Sequence, residues 1–535
     1  MISYSKNTQT YGITNQLSFL SDVCISFDND IDEFDVCRTV KSITERMNIY
    51  DYIEAPDKNS RTSKYSDLQL FRIVLLSNSD GDYKSTRKTA ELCKYNIRYM
   101  YVSCGAKPTH MTISRFIKRL KPSVHKLFID ISKTIAKNLD IYFPILTLDG
   151  TKFEANANKN THIWAKATKR YRLQAWKKAC KLIIRTNKYF EKHGIDVRYS
   201  ILKLPDFLYL LAISTKLQQF MLSLGIKPVD GRGHKKSEIQ KLYEEYDELA
   251  LKLFKYTIMF DMLDGRNSCS KTDVDASMLH MKYDYYCHNN TFKPGYNVQF
   301  GISYGFISEI FINSDANDLR TYIPVMDRFK EDYGHYPQIA VADAGYCSFD
   351  NNKFSLIHSI DFYTKYVGMT EENKRITEKN KYKTIHMKQD DDSYKCPEGY
   401  SFEEVGERKE TRGVYDRIIK QLENKHCGQC PNKSKCTKAK GNRKISISPE
   451  LESYKDNIRA KLDTPVGKEL MNARRIYSEG TFGILKQDYG YDRVYRRGLS
   501  GVEEEITLMA IGFNLRKYTK ELKDRAMKKR EKLLN

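Results

Sequence analysis

Apolar positions in residues 65–120 recur at helical spacing. Tyr65-Ser-Asp-Leu-Gln-Leu-Phe-Arg-Ile-Val-Leu-Leu76 reads as a buried helix, residues 85–93 as a second, and residues 108–120 as a short basic helix that Thr109 or Thr112 would cap. Three short helices ending in a basic one fit either a helix-turn-helix-like DNA-binding unit or a plain helical bundle. The period then changes. Ile145-Leu-Thr-Leu-Asp149-Gly is an apolar strand with a carboxylate at its tip, and Gln338-Ile-Ala-Val-Ala-Asp343-Ala-Gly repeats that design. Strand patterns also occupy residues 294–302, 305–312 and 361–366, with a helix expected over 317–333. Helical patterns at 165–190 and 237–262 read as a hairpin inserted after the first strand. The order of elements describes a mixed α/β sheet.

Near the C-terminal end, Asn472-Ala-Arg-Arg-Ile-Tyr-Ser-Glu479-Gly-Thr-Phe-Gly-Ile-Leu-Lys486 places Arg475, Glu479 and Lys486 on one broad helical face, beside apolar Ile476, Phe482 and Ile484. Taken alone this is a solvated face with i,i+4 support between Arg475 and Glu479. Charge and chemistry elsewhere change that picture. The 535 residues suggest roughly three or four compact units. Lys and Arg number 90 against 68 Asp and Glu, a net charge of +22, which points to a polyanion and first to nucleic acid. Residues 165–190 hold nine Lys/Arg and no acid, with Tyr171 and Trp176 interleaved, a cationic stripe with aromatics offered for stacking. No apolar run approaches the ~18 residues of a membrane span, and Met1-Ile-Ser-Tyr-Ser-Lys6 lacks the apolar core of a signal peptide, so a soluble, unsecreted protein is expected.

An aspartate at the end of a buried strand either turns the chain, as Asp-Gly does, or pairs, coordinates a cation or faces a cleft. Two such strands with a helix offering Glu479 supply what two-metal phosphoryl transfer needs, since Mg²⁺ or Mn²⁺ takes carboxylate oxygens and substrate phosphate. Arg475 and Lys486 would then bind DNA phosphates near the metals. Asp273 and Asp275 are lesser ligand candidates, with capping or turning the chain as the plainer role of Asp273.

These residues resemble the Asp-Asp-Glu transposases of bacterial insertion sequences. The resemblance rests on Leu148-Asp149-Gly-Thr-Lys-Phe-Glu-Ala-Asn-Ala-Asn158, Lys293-Pro-Gly-Tyr-Asn-Val-Gln299, Val341-Ala-Asp343-Ala-Gly-Tyr346 and Glu479-Gly-Thr-Phe-Gly-Ile-Leu-Lys-Gln-Asp-Tyr-Gly490, with the helices of residues 65–120 similar to the family's N-terminal domain. A subgroup signature, Tyr-x2-Arg-x3-Glu-x6-Lys, is kept at Arg475, Glu479 and Lys486, while Asn472 stands where the tyrosine belongs. The resemblance implies an RNase H-like core over 145–165, 263–368 and 466–515. Around it lie a helical DNA-binding domain over 1–144, a basic helical insertion over 166–262, a Cys-rich insertion over 369–465 and a basic tail over 516–535. It implies Asp149, Asp343 and Glu479 as catalytic ligands of two Mg²⁺ or Mn²⁺ ions. The substrates would be double-stranded terminal inverted repeats and target DNA. Water would cut the transposon ends to give a 3′-OH that attacks the target without a covalent protein intermediate. Arg475, Lys486, Arg493, Arg496 and Arg497 are expected on the DNA, the protein as at least a homodimer on paired ends, and its place as the bacterial cytoplasm at the nucleoid. A DNA-binding protein that no longer cuts, or a nuclease that only hydrolyses, are the alternatives.

Eight cysteines are scattered singly (Cys24, Cys37, Cys93, Cys104, Cys180, Cys269, Cys287 and Cys347), as reduced intracellular thiols are. The other four, Cys396, Cys427, Cys430 and Cys436, have the ligand types of a structural zinc site, with His426 as a substitute ligand and plain thiols as the other reading. Zinc would fold a polar insertion that has too few apolar residues for its own core. Lys433, Lys435, Lys438, Lys440, Arg443 and Lys444 of that insertion are offered to DNA. The tail from Arg516 has nine Lys/Arg against three acids and reads as a solvated helix, a disordered segment or a DNA arm.

Overall fold

The computed structural model describes residues 10–13, 23–55, 64–81, 84–230, 235–281, 291–411 and 413–534; Met1 to Lys6 and Cys287 lie outside them. After a short antiparallel hairpin (Thr10–Ile13 with Val23–Ser26) and one helical turn (Phe27–Asp30) come six helices: α1 (Val36–Glu45), α2 (Asp67–Ser79), α3 (Thr86–Tyr95), α4 (Ile97–Ser103), α5 (His110–Leu120) and α6 (Val124–Leu139). Local chemistry sets their starts. Ser66 and Gln69 form a reciprocal capping box on α2, and Thr109 caps α5 through the Thr112 amide.

The chain then enters β1 (Ile145–Glu154), a short β2 (His162–Trp164), and an insertion of three helices, α7 (Ala165–Lys192), α8 (Phe207–Ser223) and α9 (Glu238–Leu263). A hairpin of two helices was expected here. Helix α8, Phe-Leu-Tyr-Leu-Leu-Ala-Ile at its start, is apolar on nearly every side and so shows no stripe. The three share a core of Trp176, Leu182, Leu210, Leu217, Tyr246 and Leu253. Trp176 is therefore closed to stacking on nucleic acid, because the apolar stripe of α7 outranks its neighbouring charges; Tyr171 remains exposed.

After β3 (Ser268–Ser270) come the remaining strands of the central sheet: β4 (Ser277–His280), β5 (Phe292–Ser303), β6 (Phe306–Asn313), then α10 (Tyr322–Tyr333), β7 (Ile339–Ala342), α11 (Phe349–Ile357) and β8 (Asp361–Tyr363). The strand order is β8-β7-β1-β5, with β4 and β6 both on the outer edge of β5. Strands β1, β7 and β8 run parallel, whereas β5 is antiparallel to β1 and β6. The mixed order is that of an RNase H-like sheet. Tyr304 and Gly305, at φ 52° and 78°, turn the β5–β6 hairpin in the positive-φ conformation such tight turns require.

A second insertion holds an antiparallel sheet of β9 (Glu403–Glu410), β10 (Arg417–Asn424) and β11 (Arg443–Ile447), followed by α12 (Pro449–Asp463) and α13 (Pro465–Gly483). The last helix, α14 (Leu499–Leu534), runs without a break at residue 516, so the basic tail is its outer half. Its inner half, with Ile506, Met509 and Phe513, belongs to one core with Leu75 of α2, Leu127 and Ile131 of α6, and Phe300 and Ile310 of the sheet. Gly512 lets α14 approach α2 so closely that a Cβ there would lie 2.0 Å from the Asn78 carbonyl oxygen. Among the described residues, no helix is long and apolar enough to cross a membrane.

Candidate active site

Leu148 of β1 pairs with Ala342 of β7 in parallel register, so the next residues, Asp149 and Asp343, stand side by side where the two strands point outward. The ends of parallel strands are the usual ligand crevice of such sheets. Each carboxylate is tied to its own turn, Asp149 Oδ1 accepting from the Gly150 amide at 2.9 Å and Asp343 Oδ1 from the Gly345 amide at 2.8 Å. Two like charges this close need a cation. Arg474 of α13 supplies one, its Nη2 lying 2.7 Å from Asp149 Oδ2 and 3.9 Å from Asp343 Oδ2. Burial nevertheless pushes the Asp149 carboxyl up to about 6; Arg474 opposes that rise and Asp343 adds to it.

A third carboxylate faces the pair. Asp318 accepts from Asn297 Nδ2 at 2.6 Å and Gln299 Nε2 at 2.9 Å. Its oxygens overhang the glycines that follow the two aspartates: a Cβ on Gly150 would meet Asp318 Oδ1 at 2.9 Å, and one on Gly345 would meet Asp318 Oδ2 at 3.9 Å. Tyr346, fully buried, donates to Gln299 Oε1. Its phenol is held well above its usual range by burial first and then by Asp318, Asp149 and Asp343. The arrangement is an anionic pocket with amide and phenol donors behind it and one guanidinium in front, suited to a divalent cation.

Residues 395–519 match the family model of a transposase DDE domain, and residues 26–119 match that of a transposase domain. These two segments are therefore similar to transposase domains, the C-terminal one of them of the DDE type. No curated protein matches it. The DDE match takes in Glu479, Arg475 and Lys486 and begins after both aspartates, which the sheet brings to the same region.

The chain does not close its three expected ligands into one cluster in this structure. Glu479 is exposed, and among the described residues the three carboxylates do not meet within 4.8 Å of one another. Five residues separate it from Arg474, which at about 100° per residue turns it about 140° round α13. Arg475 donates to Asn472 Oδ1 at 3.0 Å, where an i,i+4 pair with Glu479 was expected. Lys486 reaches back to the Lys152 carbonyl at 2.9 Å and lies over the Phe153 ring, which ties the end of α13 to β1. Arg493 and Arg497 gather on Asn156 just past β1, at 3.4 Å to its side-chain oxygen and 2.7 Å to its carbonyl. Arg496 instead pairs with the buried Glu504. Asp273 and Asp275 accept from the amides of Gly498 and Leu499 and so hold the start of α14, the capping role rather than a ligand role.

Arg474 and Asp318 had no distinguishing signal in the sequence: the first is one residue from the signature arginine, and Asn317-Asp318 reads as a helix start. A further group, His125, Glu309 and Asp332, has ligand atoms within 4.8 Å of one another. Arg328 already stands there, 3.6 Å from Glu309 and 2.8 Å from Glu503, so the cluster joins α6, β6, α10 and α14 as a polar knot. Burial, with Asp332 next, holds the Glu309 carboxyl well above its usual range.

Proposed function

We propose that the transposase holds Mg²⁺ or Mn²⁺ at Asp149 and Asp343, that Glu479 joins them from α13, and that the site cuts terminal inverted repeats and joins their 3′-OH to target DNA. The observation that supports this most is the side-by-side placement of Asp149 and Asp343 with a cation already between them. Hard carboxylate oxygens fit such ions, and the Arg474 guanidinium marks where positive charge is wanted. When bound, the ions activate the attacking oxygen and stabilise the leaving one in an in-line displacement.

The chain's own residues do the rest. Asn297 and Gln299 hold Asp318 beside the pair, and Tyr346 fixes Gln299 in turn, so the carboxylates are set before substrate arrives. Arg493 and Arg497 flank the exit of β1 and bind backbone phosphates, with Arg475 and Lys486 along the same edge. The exposed lysines and arginines of α7 extend the cationic surface. Two ends held together require at least a homodimer on DNA, in the bacterial cytoplasm at the nucleoid.

The test is an end-labelled inverted-repeat fragment incubated with the full chain and Mn²⁺. Cleavage and strand transfer are expected, and both should fall to background in Asp149→Asn, Asp343→Asn and Glu479→Gln. Binding with no metal-dependent cutting would assign the chain to DNA-holding proteins, and cutting with no joining would make it a nuclease. Wild-type rates in the three variants would remove the site assignment.

A further inference from the structure

We infer that Cys396, Cys427, Cys430 and Cys436 are the ligands of a structural zinc site that would hold the second insertion together, with His426 outside the ligand set. All four cysteines are unpaired and half-buried, and all four line one cavity. They arrive from separate turns. Cys396 opens a tight turn in which its carbonyl accepts from the Gly399 amide at 2.8 Å, and the Cys430 carbonyl accepts from Lys433 at 3.2 Å. Two donors of Arg443 reach the sulfurs. The Arg443 amide points at Cys427 Sγ at 3.4 Å, and Arg443 Nη1 lies 2.9 Å from Cys436 Sγ. Such contacts orient ligand sulfurs from outside.

Arg443 is nearly buried and is anchored by the Tyr382 and Cys436 carbonyls, so it serves this cavity and is not free for DNA. His426 lines the same cavity, but its ring lies flat on Tyr400 at 4.5 Å between centroids, and the proposed donor set is the four sulfurs. Among the described residues, no three of these sulfurs all lie within 4.8 Å of one another.

The need for a staple comes from the packing. The apolar cluster of this unit is Met387, Tyr394, Phe402 and Ile445, with Cys396, Leu422, Cys436 and Ile447 partly buried against it, and Ile419 is buried besides. Strand β9 is exposed along nearly its whole length. So small a core does not hold three strands in water, and a four-thiolate metal does.

Metal analysis of the full chain after dialysis should find one zinc per chain, and a cobalt-substituted sample should show thiolate-to-cobalt charge-transfer absorption. Cys396→Ser and Cys427→Ser should each lose the zinc, His426→Ala should keep it, and Asp149→Asn should keep it, which separates this site from the catalytic one. Because the cysteine variants can misfold, thiol titration of the folded wild type gives a second measure: four thiols should react only after a chelator is added. Iron in place of zinc, no bound metal, zinc retained in both cysteine variants, or zinc lost in His426→Ala would each overturn the assignment.

Discussion

Asp149→Asn should stabilise the metal-free protein while abolishing its use of metal. The Asp149 side chain is 17% exposed, and its carboxyl is raised from 3.8 to about 6 by burial, net of the help from Arg474. Below pH 3.8 the group is protonated in folded and unfolded chains alike and costs nothing. Between there and about pH 6 the unfolded chain ionises first, so stability falls, and above pH 6 the deficit is constant. At pH 8 that deficit is about 3 kcal/mol, since each tenfold change in proton affinity is 1.36 kcal/mol. The amide removes it, and Arg474 keeps Asp343 as a counter-charge at 3.9 Å. Thermal unfolding in a chelating buffer across this pH range should show the variant and wild type together at the acid end and the variant higher above pH 6. Added Mn²⁺ should then raise only the wild type. A variant that melts below wild type at pH 8, or a gap that does not depend on pH, would refute the reasoning.

Replacing Arg474 by Gln should tighten Mn²⁺ binding to the DNA-free protein by about tenfold, the worth of a ~1.4 kcal/mol competitor, as read by titration calorimetry; unchanged or weaker binding would mean the arginine does not compete. Gly512→Ala should lower the melting temperature despite the ~1 kcal/mol that alanine gains in a helix, because its Cβ would sit 2.0 Å from the Asn78 oxygen and overpacking costs about 1–3 kcal/mol. Glu309→Gln should melt with wild type in acid and above it as pH rises through the raised carboxyl value, since the neutral form stabilises the fold and is lost from wild type there; a gap that is widest in acid would count against it.

The strands that carry Asp149 and Asp343 were legible because an apolar run ending in an acid and a small residue has few other uses. Family motifs, not periodicity, singled out Glu479. What periodicity could not say is which of two adjacent residues faces inward: Arg474 and Arg475 differ by about 100° of helix rotation, and packing of α13 on β1 and β7 decides it. Asp318 was hidden because its Asn-Asp start looks like a cap, which Asn317 in fact provides to the Leu319 amide. Charge density misled at α7, where Trp176 belongs to the bundle core; at α14 the composition changes at residue 516 and the helix continues, the helical one of the readings the tail allowed.

The shared core of α2, α6 and α14 has a consequence for synthesis. Helices translated first keep apolar faces open until the chain reaches residue 499, a span from residue 139 that takes roughly 20–70 s at 5–20 residues per second. Until then Leu75, Leu127 and Ile131 lack the partners they have in the finished molecule. A chain that stops short of residue 499 therefore leaves the N-terminal helices without a closed core. Those helices and the sheet that carries Asp149 and Asp343 acquire their common packing together, when the last helix arrives.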